Sequence, residues 1–260
     1  MSLEVNEKLL INVLAGLMIL CGLAAFFCLT VLGWRALYGR YSERVMISKM
    51  MPTRLAWFCQ ELPSFLVPVL CCLFGDKAQL VSVSNTLILG MFLIHYFQRT
   101  FIYSLLIKSG KDTPFEMFMA AFIFCCFNGY IQGRYHAEYA MYNDGHIVTV
   151  TAILGIVLFI GGSVINIHSD HILRNLRKPG ETAYKIPRGG MFNFVSGANF
   201  LGEICEWIGY ALVAQTLPAI AFAIMTVCNI GPRALQHHRY YIEKFDDYPQ
   251  DRKALIPFIL

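Results

Sequence analysis

The chain has 260 residues, of which 57% are hydrophobic and only 15% are charged, and its formal net charge is +4. A soluble globular domain has about 45–50% apolar and about 25% charged residues, so this composition excludes an ordinary water-soluble domain. We predict an all-α, polytopic integral membrane protein that forms one domain over residues 1–260. The nine cysteines lie mostly in apolar runs without a C-x-x-C pair, which favours small core residues over disulfides or metal ligands.

Seven apolar segments are long enough to cross a bilayer, which takes roughly 20 residues. The first follows an acidic start and is too long for the apolar part of a signal peptide, so we expect it to be retained. The last two are separated only by the corner at Thr216–Pro218. In chain order the predicted spans are 9–33, 55–74, 80–107, 115–135, 147–168, 194–214 and 216–232.

The distribution of basic residues indicates the orientation of this bundle. With the N-terminus outside, 17 Lys and Arg residues fall on the cytoplasmic side, three fall on the outer side, and Arg99 lies within a span. Cytoplasmic loops collect Lys and Arg, so we predict a lumenal or periplasmic N-terminus and a cytoplasmic C-terminus. The expected membrane is the endoplasmic reticulum of a eukaryote or the inner (cytoplasmic) membrane of a bacterium.

The second span carries costly polar groups, which mark functional sites inside a membrane. Gln60 and Glu61 precede Pro63, which bends the helix. A carboxylic acid in an apolar pocket tends to keep its proton and can donate a hydrogen bond at neutral pH. Glu61 is therefore a candidate functional residue, and the alternative is a structural carboxylate paired with Arg99.

Polar residues also share helix faces in the later spans. A face that includes Arg favours a cavity wall, and Arg at a helix end suits phosphate groups. Two carboxylates and an amide on one face of the sixth span are hard to explain by packing alone. The faces are His95, Tyr96, Arg99 and Tyr103 in the third span; Asn166, Asp170, Arg174 and Arg177 at the end of the fifth; Asn199, Glu203 and Glu206 in the sixth; and Arg233, His237 and Tyr241 after the seventh.

Several other functions are compatible with a small helical membrane protein. No G-x-G-x-x-G or P-loop motif is present. The pairs His168 with His171 and His237 with His238 faintly resemble the boxes of di-iron lipid oxidases, but with so few histidines they form a poor metal cage. A transporter would need broken helices or internal repeats, which the sequence lacks. A membrane methyltransferase remains the other alternative.

Long segments of the chain resemble the steroid 5-alpha-reductases (3-oxo-5-alpha-steroid 4-dehydrogenases) of the type 1 and type 2 branch. The resemblance runs from about residue 52 to the end. Gln98, Ile107 and the segment 136–147 depart from the pattern. The matching segments are AWFCQELPSF (56–65), HYFQRTFIYSLL (95–106), INIHSDHILRNLRKPG (165–180), YKIPRGG (184–190), FVSGANFLGEICEWIGYAL (194–212) and DYPQDRKALIPFIL (247–260).

The resemblance implies a seven-helix, NADPH-dependent reductase of the 4,5 double bond of 3-oxo-4-ene steroids. Its partners would be a steroid substrate and membrane lipid, without nucleic acid, metal or an obligate protein partner. It implies Glu61 and Tyr96 as the catalytic donors to the steroid 3-oxo group, with Trp57 and Gln60 also binding substrate. The implied cofactor residues are Tyr38, Arg99, Tyr103, Lys111, Asn166, Asp170, Arg177, Asn199, Glu203, Arg233, His237 and Tyr241.

Overall fold

The protein is a bundle of long helices in a computed structural model that describes residues 2–35, 49–75, 79–108, 111–177, 181 and 183–260. Two short strands pair antiparallel, with Met50 opposite Pro114 and Met51 opposite Thr113. The α-helices are α1 Ser2–Thr30, α2 Thr53–Phe74, α3 Val83–Phe97, α4 Ser104–Leu106, α5 Phe115–Arg134, α6 Val150–Asn175, α7 Ala198–Ala214 and α8 Leu217–Lys244; the strands are β1 Met50–Met51 and β2 Thr113–Pro114. The π-helical turns are Gln98–Tyr103 and Tyr135–Tyr139, and the 3-10 turns are His146–Val148 and Gly190–Asn193.

Helices α6 and α7 approach each other through glycines spaced seven residues apart. A Cβ atom added to Gly155 would lie 2.8 Å from the carbonyl oxygen of Gly209, and one added to Gly162 would lie 2.6 Å from that of Gly202. The two pairings run in opposite directions along the chain, so the helices are antiparallel. Small residues allow backbones in a membrane to come this close, and the contact brings the polar faces of α6 and α7 together.

The remaining helices pack around this pair. Helix α5 lies against α2, where Gly129 faces the backbone of Pro63 and Gly133 faces Pro68. Helix α1 lies along α8, where Gly22 contacts Met225. The centre of the bundle is aromatic: Trp207 contacts Phe222 with ring centroids 4.3 Å apart and Phe92 with centroids 5.8 Å apart.

The first helix is also held near its N-terminal end. Arg134 donates from Nε and Nη2 to the two carboxylate oxygens of Glu7, at 2.9 and 3.0 Å. Tyr130 donates to the same carboxylate at 2.9 Å, and Tyr139 donates to it as well. This two-point ion pair is the geometry that makes Arg–carboxylate contacts specific, so it fixes the position of α1 against α5.

A helix of 15 or more residues occupies each of the seven predicted segments, and large apolar side chains cover much of the surface. Within the described residues, five helical segments are long and apolar enough to cross a membrane: Asn6–Thr30, Thr53–Phe74, Phe115–Tyr139, Val150–Asn175 and Leu217–Lys244. The structure therefore agrees with an integral membrane protein, while the count of seven spans and the orientation of the termini stay predictions.

The helices that contain the last two predicted spans have different limits from the apolar segments themselves. Helix α7 begins at Ala198 instead of residue 194, because Phe194 and Ser196 form backbone hydrogen bonds with Lys253 of the C-terminal segment. Helix α8 continues to Lys244 instead of ending at 232. Hydropathy marks the apolar part of a helix, whereas the polar continuation of α8 is helical without being apolar.

Candidate functional site

A buried ion pair joins the third helical segment to α6. Arg99 lies in the π-helical turn Gln98–Tyr103, and its Nη1 donates to Oδ2 of Asp170 at 2.8 Å. The side chains are only 9% and 6% exposed. The guanidinium also lies 4.1 Å from the ring centroid of Tyr103 and 4.9 Å from that of Trp57. π-Helical turns often occur at functional sites, and this one fixes Arg99 between two rings and a carboxylate.

Glu61 of α2 lies next to this ion pair. It interacts electrostatically with Arg99, Glu203 and His95, and it accepts a long hydrogen bond of 3.4 Å from Nε2 of Gln60. Glu61 keeps part of its surface accessible although protein surrounds it. This combination is expected of a side chain that borders an internal polar cluster, and the role of Glu61 as a site residue stays a prediction.

Tyr96 shares the neighbourhood of Glu61. Its side chain is buried, its hydroxyl accepts a hydrogen bond of 3.3 Å from Nδ2 of Asn128, and Ser64 lies beside it. Glu61 and Tyr96 are close enough to interact electrostatically. A carboxyl group and a phenol are therefore placed together by α2 and α3.

The glycine contact between α6 and α7 supplies the opposite wall. Asn166 donates from Nδ2 to the carbonyl oxygen of Asn199 at 3.0 Å, and a Cβ added to Gly202 would lie 2.8 Å from Cα of Asn166. Glu203, the next residue of α7, interacts with both Arg99 and Glu61. Residues from α2, the third helical segment, α6 and α7 thus form one polar cluster, which is a candidate chamber for substrate and cofactor.

Glu206 has a different role from Glu203, although they are one turn apart. Its Oε1 lies 2.8 Å from Nδ1 of His95 and accepts a hydrogen bond of 2.6 Å from Ser163. Glu206 and His95 are both buried, and the His95 ring lies 4.5 Å from that of Trp207. This group joins α3, α6 and α7 directly behind Tyr96.

Basic and aromatic residues form a second group near the end of α8. The guanidinium of Arg177 lies 5.6 Å from the ring of Tyr184, and Nζ of Lys244 lies 5.3 Å from the same ring. Tyr241 stacks on Tyr248 with ring centroids 5.5 Å apart and nearly parallel planes. A cavity of about 280 Å³ lies between the same polar part of α8 and the end of α1, lined by residues that include Arg35 and Arg239.

Other residues predicted to bind the cofactor or a metal lie apart from this group. Lys111 accepts a hydrogen bond of 2.7 Å from Thr53 through its backbone carbonyl. His237 contacts the ring of Phe200 at 5.3 Å, whereas His168 lies against Gly190. Tyr38 lies outside the described residues. Within the described residues, no group of three or more His, Cys, Asp and Glu side chains is arranged to hold a metal ion.

Comparison with known proteins shows the family. Residues 111–260 match the family described as 3-oxo-5-alpha-steroid 4-dehydrogenase. The chain is 47% identical over 258 residues to 3-oxo-5-alpha-steroid 4-dehydrogenase 1 of Mus musculus, which covers 99% of this chain and 100% of the relative. It is 52% identical over 223 residues to 3-oxo-5-alpha-steroid 4-dehydrogenase 2 of Homo sapiens, covering 85% and 87%. The chain belongs to this family.

Membership in the 3-oxo-5-alpha-steroid 4-dehydrogenase family extends to both walls of the chamber. The family match itself begins at Lys111 and includes α6, α7 and α8. Glu61 and Tyr96 precede it, but the similarity to the mouse relative covers 99% of the chain and includes α2 and α3. The steroid 5-alpha-reductase resemblance of the sequence is thereby confirmed at the level of the family.

Four polar residues near the chamber were not among the residues predicted from the sequence. Ser64 and Asn128 lie at the Tyr96 hydroxyl, Gln132 bonds to Asn128, and Ser163 bonds to Glu206. Two of these four residues could have been found from the sequence. Asn128 and Gln132 are four residues apart in an otherwise apolar span, so they lie on one helix face.

Proposed function

We propose that this protein reduces the 4,5 double bond of 3-oxo-4-ene steroids, of the testosterone and progesterone type, to 5-alpha-3-oxosteroids with NADPH as the reductant. The names of the relatives support the reaction class. The observation that supports the proposal is that Glu61 and Tyr96 interact electrostatically with each other, and that Glu61 also interacts with Arg99 and Glu203 next to the buried pair of Arg99 and Asp170.

Glu61 and Tyr96 polarise the ketone in this proposal. Each donates a hydrogen bond to the 3-oxo oxygen, on which negative charge accumulates when the double bond is reduced at C5. Donors aimed at developing charge in a water-poor site stabilise the transition state strongly. A proton from water then adds to C4, which completes the saturation of the bond. Trp57 and Gln60 complete the binding site for the flat ring system.

The residues around Arg99 fit a dinucleotide with phosphate groups. NADPH would supply the hydride that is added to C5. Arg174, one turn beyond Asp170, buries its Nη1 atom without a hydrogen-bond partner among the described residues, and a buried guanidinium nitrogen of this kind suits an anionic oxygen. The proposed cofactor residues are those that the resemblance implies: Tyr38, Arg99, Tyr103, Lys111, Asn166, Asp170, Arg177, Asn199, Glu203, Arg233, His237 and Tyr241.

The proposed topology is a single domain with seven spans, a lumenal or periplasmic N-terminus and a cytoplasmic C-terminus. The 24-residue segment from Val83 to Leu106 and the 17-residue helix α7 would be the two spans added to the five long apolar segments. The basic end of α8 then faces the cytoplasm, from which the nucleotide enters. The mammalian sources of the relatives favour the endoplasmic reticulum membrane.

The test is turnover by protein purified in detergent, with NADPH and testosterone, followed by the absorbance of reduced nicotinamide. Glu61→Gln and Tyr96→Phe are each expected to lower kcat by on the order of 10²–10³, with NADPH binding retained. Tyr142→Phe is a matched control, because the Tyr142 hydroxyl donates to the backbone of Ala214 and not into the chamber.

Wild-type turnover by both chamber variants would refute the proposed chemistry. Loss of activity on chelation would instead favour an oxidase with a metal centre. Dependence on S-adenosylmethionine, with no consumption of NADPH, would favour a methyltransferase.

A further inference from the structure

Two amide side chains of α5 are buried in the middle of the bundle. Asn128 and Gln132 are both 0% exposed, and Tyr210 of α7, which contacts them, is also 0% exposed. An amide without hydrogen bonds costs several kcal/mol in an apolar environment. Buried amides are therefore expected to be fully bonded, and their bonds are informative about their role.

These side chains form one continuous hydrogen-bonded chain that ends at Tyr96. The Tyr210 hydroxyl donates to Oε1 of Gln132 at 3.2 Å. Nε2 of Gln132 donates to Oδ1 of Asn128 at 3.3 Å, and Nδ2 of Asn128 donates to the Tyr96 hydroxyl at 3.3 Å. Nε2 of Gln132 also donates to the backbone carbonyl of Pro218 at 2.8 Å.

The carbonyl of Pro218 determines the direction of every bond in this chain. A carbonyl oxygen only accepts hydrogen bonds, so the amide group of Gln132 that faces Pro218 must be the NH₂ group. The same NH₂ group faces Asn128, which must therefore present its oxygen to Gln132 and its own NH₂ group to Tyr96. The Tyr96 oxygen is consequently an acceptor toward Asn128, and its proton is directed elsewhere.

Ser64 limits where that proton can go. The Ser64 hydroxyl donates to the carbonyl oxygen of Cys125 at 3.1 Å, so toward Tyr96 it can offer only a lone pair. The Tyr96 proton thus has two acceptors available: the Ser64 oxygen while the chamber holds no ketone, and a ketone oxygen once one is bound.

We propose that Asn128 and Gln132 are positioning residues that hold Tyr96 as a hydrogen-bond donor to the substrate ketone. This inference rests on the proposed function. By donating to the phenol oxygen, Asn128 also strengthens the donation by the phenol, because successive hydrogen bonds polarise one another. The hydrogen-bonded chain orients the Tyr96 hydroxyl before the substrate binds, so the phenol does not have to reorient as charge develops on the ketone.

The decisive variants change the donor to Tyr96. Asn128→Leu has nearly the same shape and donates nothing, so kcat with testosterone is expected to fall about tenfold, the effect of losing one net hydrogen bond of ordinary strength. The KM for NADPH is expected to stay unchanged. Asn85→Leu is the matched control: Asn85 is also 0% exposed and donates to the carbonyls of Gln79 and Ala140, so its loss is expected to lower the melting temperature without changing kcat.

Asn128→Asp distinguishes positioning from a merely structural role. When the introduced carboxyl group is protonated, it can accept from Gln132 and donate to Tyr96, whereas the ionised carboxylate can only accept and would take the Tyr96 proton for itself. The activity of the variant relative to wild type is therefore expected to rise as the pH is lowered between about pH 8 and pH 5.5. Among the described residues, the titratable groups around this position include Glu61 and Cys125, which interact with Tyr96, and the phenols of Tyr96 and Tyr210 in the same hydrogen-bonded chain; all four are also present in the wild-type reference.

Two results would overturn the inference. One is a kcat for folded Asn128→Leu within twofold of wild type, and the other is an Asn128→Asp variant whose activity follows the wild-type pH profile. Either result with an active wild-type enzyme leaves the proposed function standing. A wild-type protein that does not oxidise NADPH with testosterone would overturn both.

Discussion

Replacing Gly202 by Ala should separate the two helices that form one wall of the chamber. A Cβ atom at this position would lie 2.8 Å from Cα of Asn166 and 2.8 Å from the carbonyl oxygen of Gly162, whereas comfortable contacts between carbon atoms are about 3.5–4.0 Å. Both neighbours are backbone atoms that no side-chain rotation can move. Helices α6 and α7 must therefore move apart locally by on the order of 1 Å.

The structure allows the size of this effect to be worked out. Overpacking of this kind lowers the free energy of unfolding by about 1–3 kcal/mol. Replacing a helical glycine by alanine raises it by about 0.5–1 kcal/mol, because alanine loses less conformational entropy on folding. The expected net loss is about 1–2 kcal/mol, and at roughly 2–4 °C per kcal/mol for a chain of this size the melting temperature should fall by about 2–8 °C. A shift of on the order of 1 Å would also break the 3.0 Å bond from Asn166 to Asn199, because hydrogen bonds fail beyond about 3.5 Å.

Thermal melting in detergent and NADPH binding are the assays. Gly161→Ala is the matched control, because it lies on the same helix and has nothing within 4 Å of its added Cβ. The control is expected to keep its stability and its affinity for NADPH, while Gly202→Ala loses both. If the two variants melt at the same temperature, α6 and α7 do not meet at these glycines and the wall of the chamber is wrongly placed.

Two further perturbations test other parts of the bundle. Arg99→Met leaves Asp170 buried without the guanidinium and should lower the free energy of unfolding by about 3–5 kcal/mol. Adding Asp170→Leu to the same variant should restore much of the melting temperature but none of the NADPH affinity. Restored NADPH binding in the double variant would contradict a cofactor role for Arg99. Glu7→Leu removes the carboxylate that accepts hydrogen bonds from Arg134, Tyr130 and Tyr139. The melting temperature of the purified protein should fall, while kcat at the growth temperature should stay unchanged. A fall in kcat at constant melting temperature would show that α1 acts on the chamber directly.

The sequence predicted the helical segments and the candidate residues better than it predicted their partners. Composition and segment length indicated seven apolar segments, and a long helix occupies each of them. Glu61, Tyr96, Arg99 and Asp170 interact with one another across three helical segments, as expected when groups that are costly in lipid are stabilised by one another; their role as one site stays a prediction.

The sequence did not predict which side chains on different helices bond to one another. Asp170 takes the direct hydrogen bond of Arg99, a pairing that the sequence did not predict, while Glu61 interacts with Arg99 electrostatically. His95 shares a helix face with Arg99, yet the two residues bond to different helices, α7 and α6. The π-helical turn that begins at Gln98 changes the direction of the side chains that follow, and periodicity assumes a regular helix.

The two carboxylates of α7 show how close packing assigns roles to similar residues. Gly202 contacts α6, and Glu206, one helical turn later, points to the same neighbour and forms buried bonds with Ser163 and His95. Glu203 follows Gly202 directly, so it is rotated by about 100° from that contact and reaches Arg99 and Glu61 instead. The contact at Gly202 therefore sets the direction of both carboxylates. Glu206 bonds to the neighbouring helices behind Tyr96, whereas Glu203 faces the chamber where we propose that the cofactor binds.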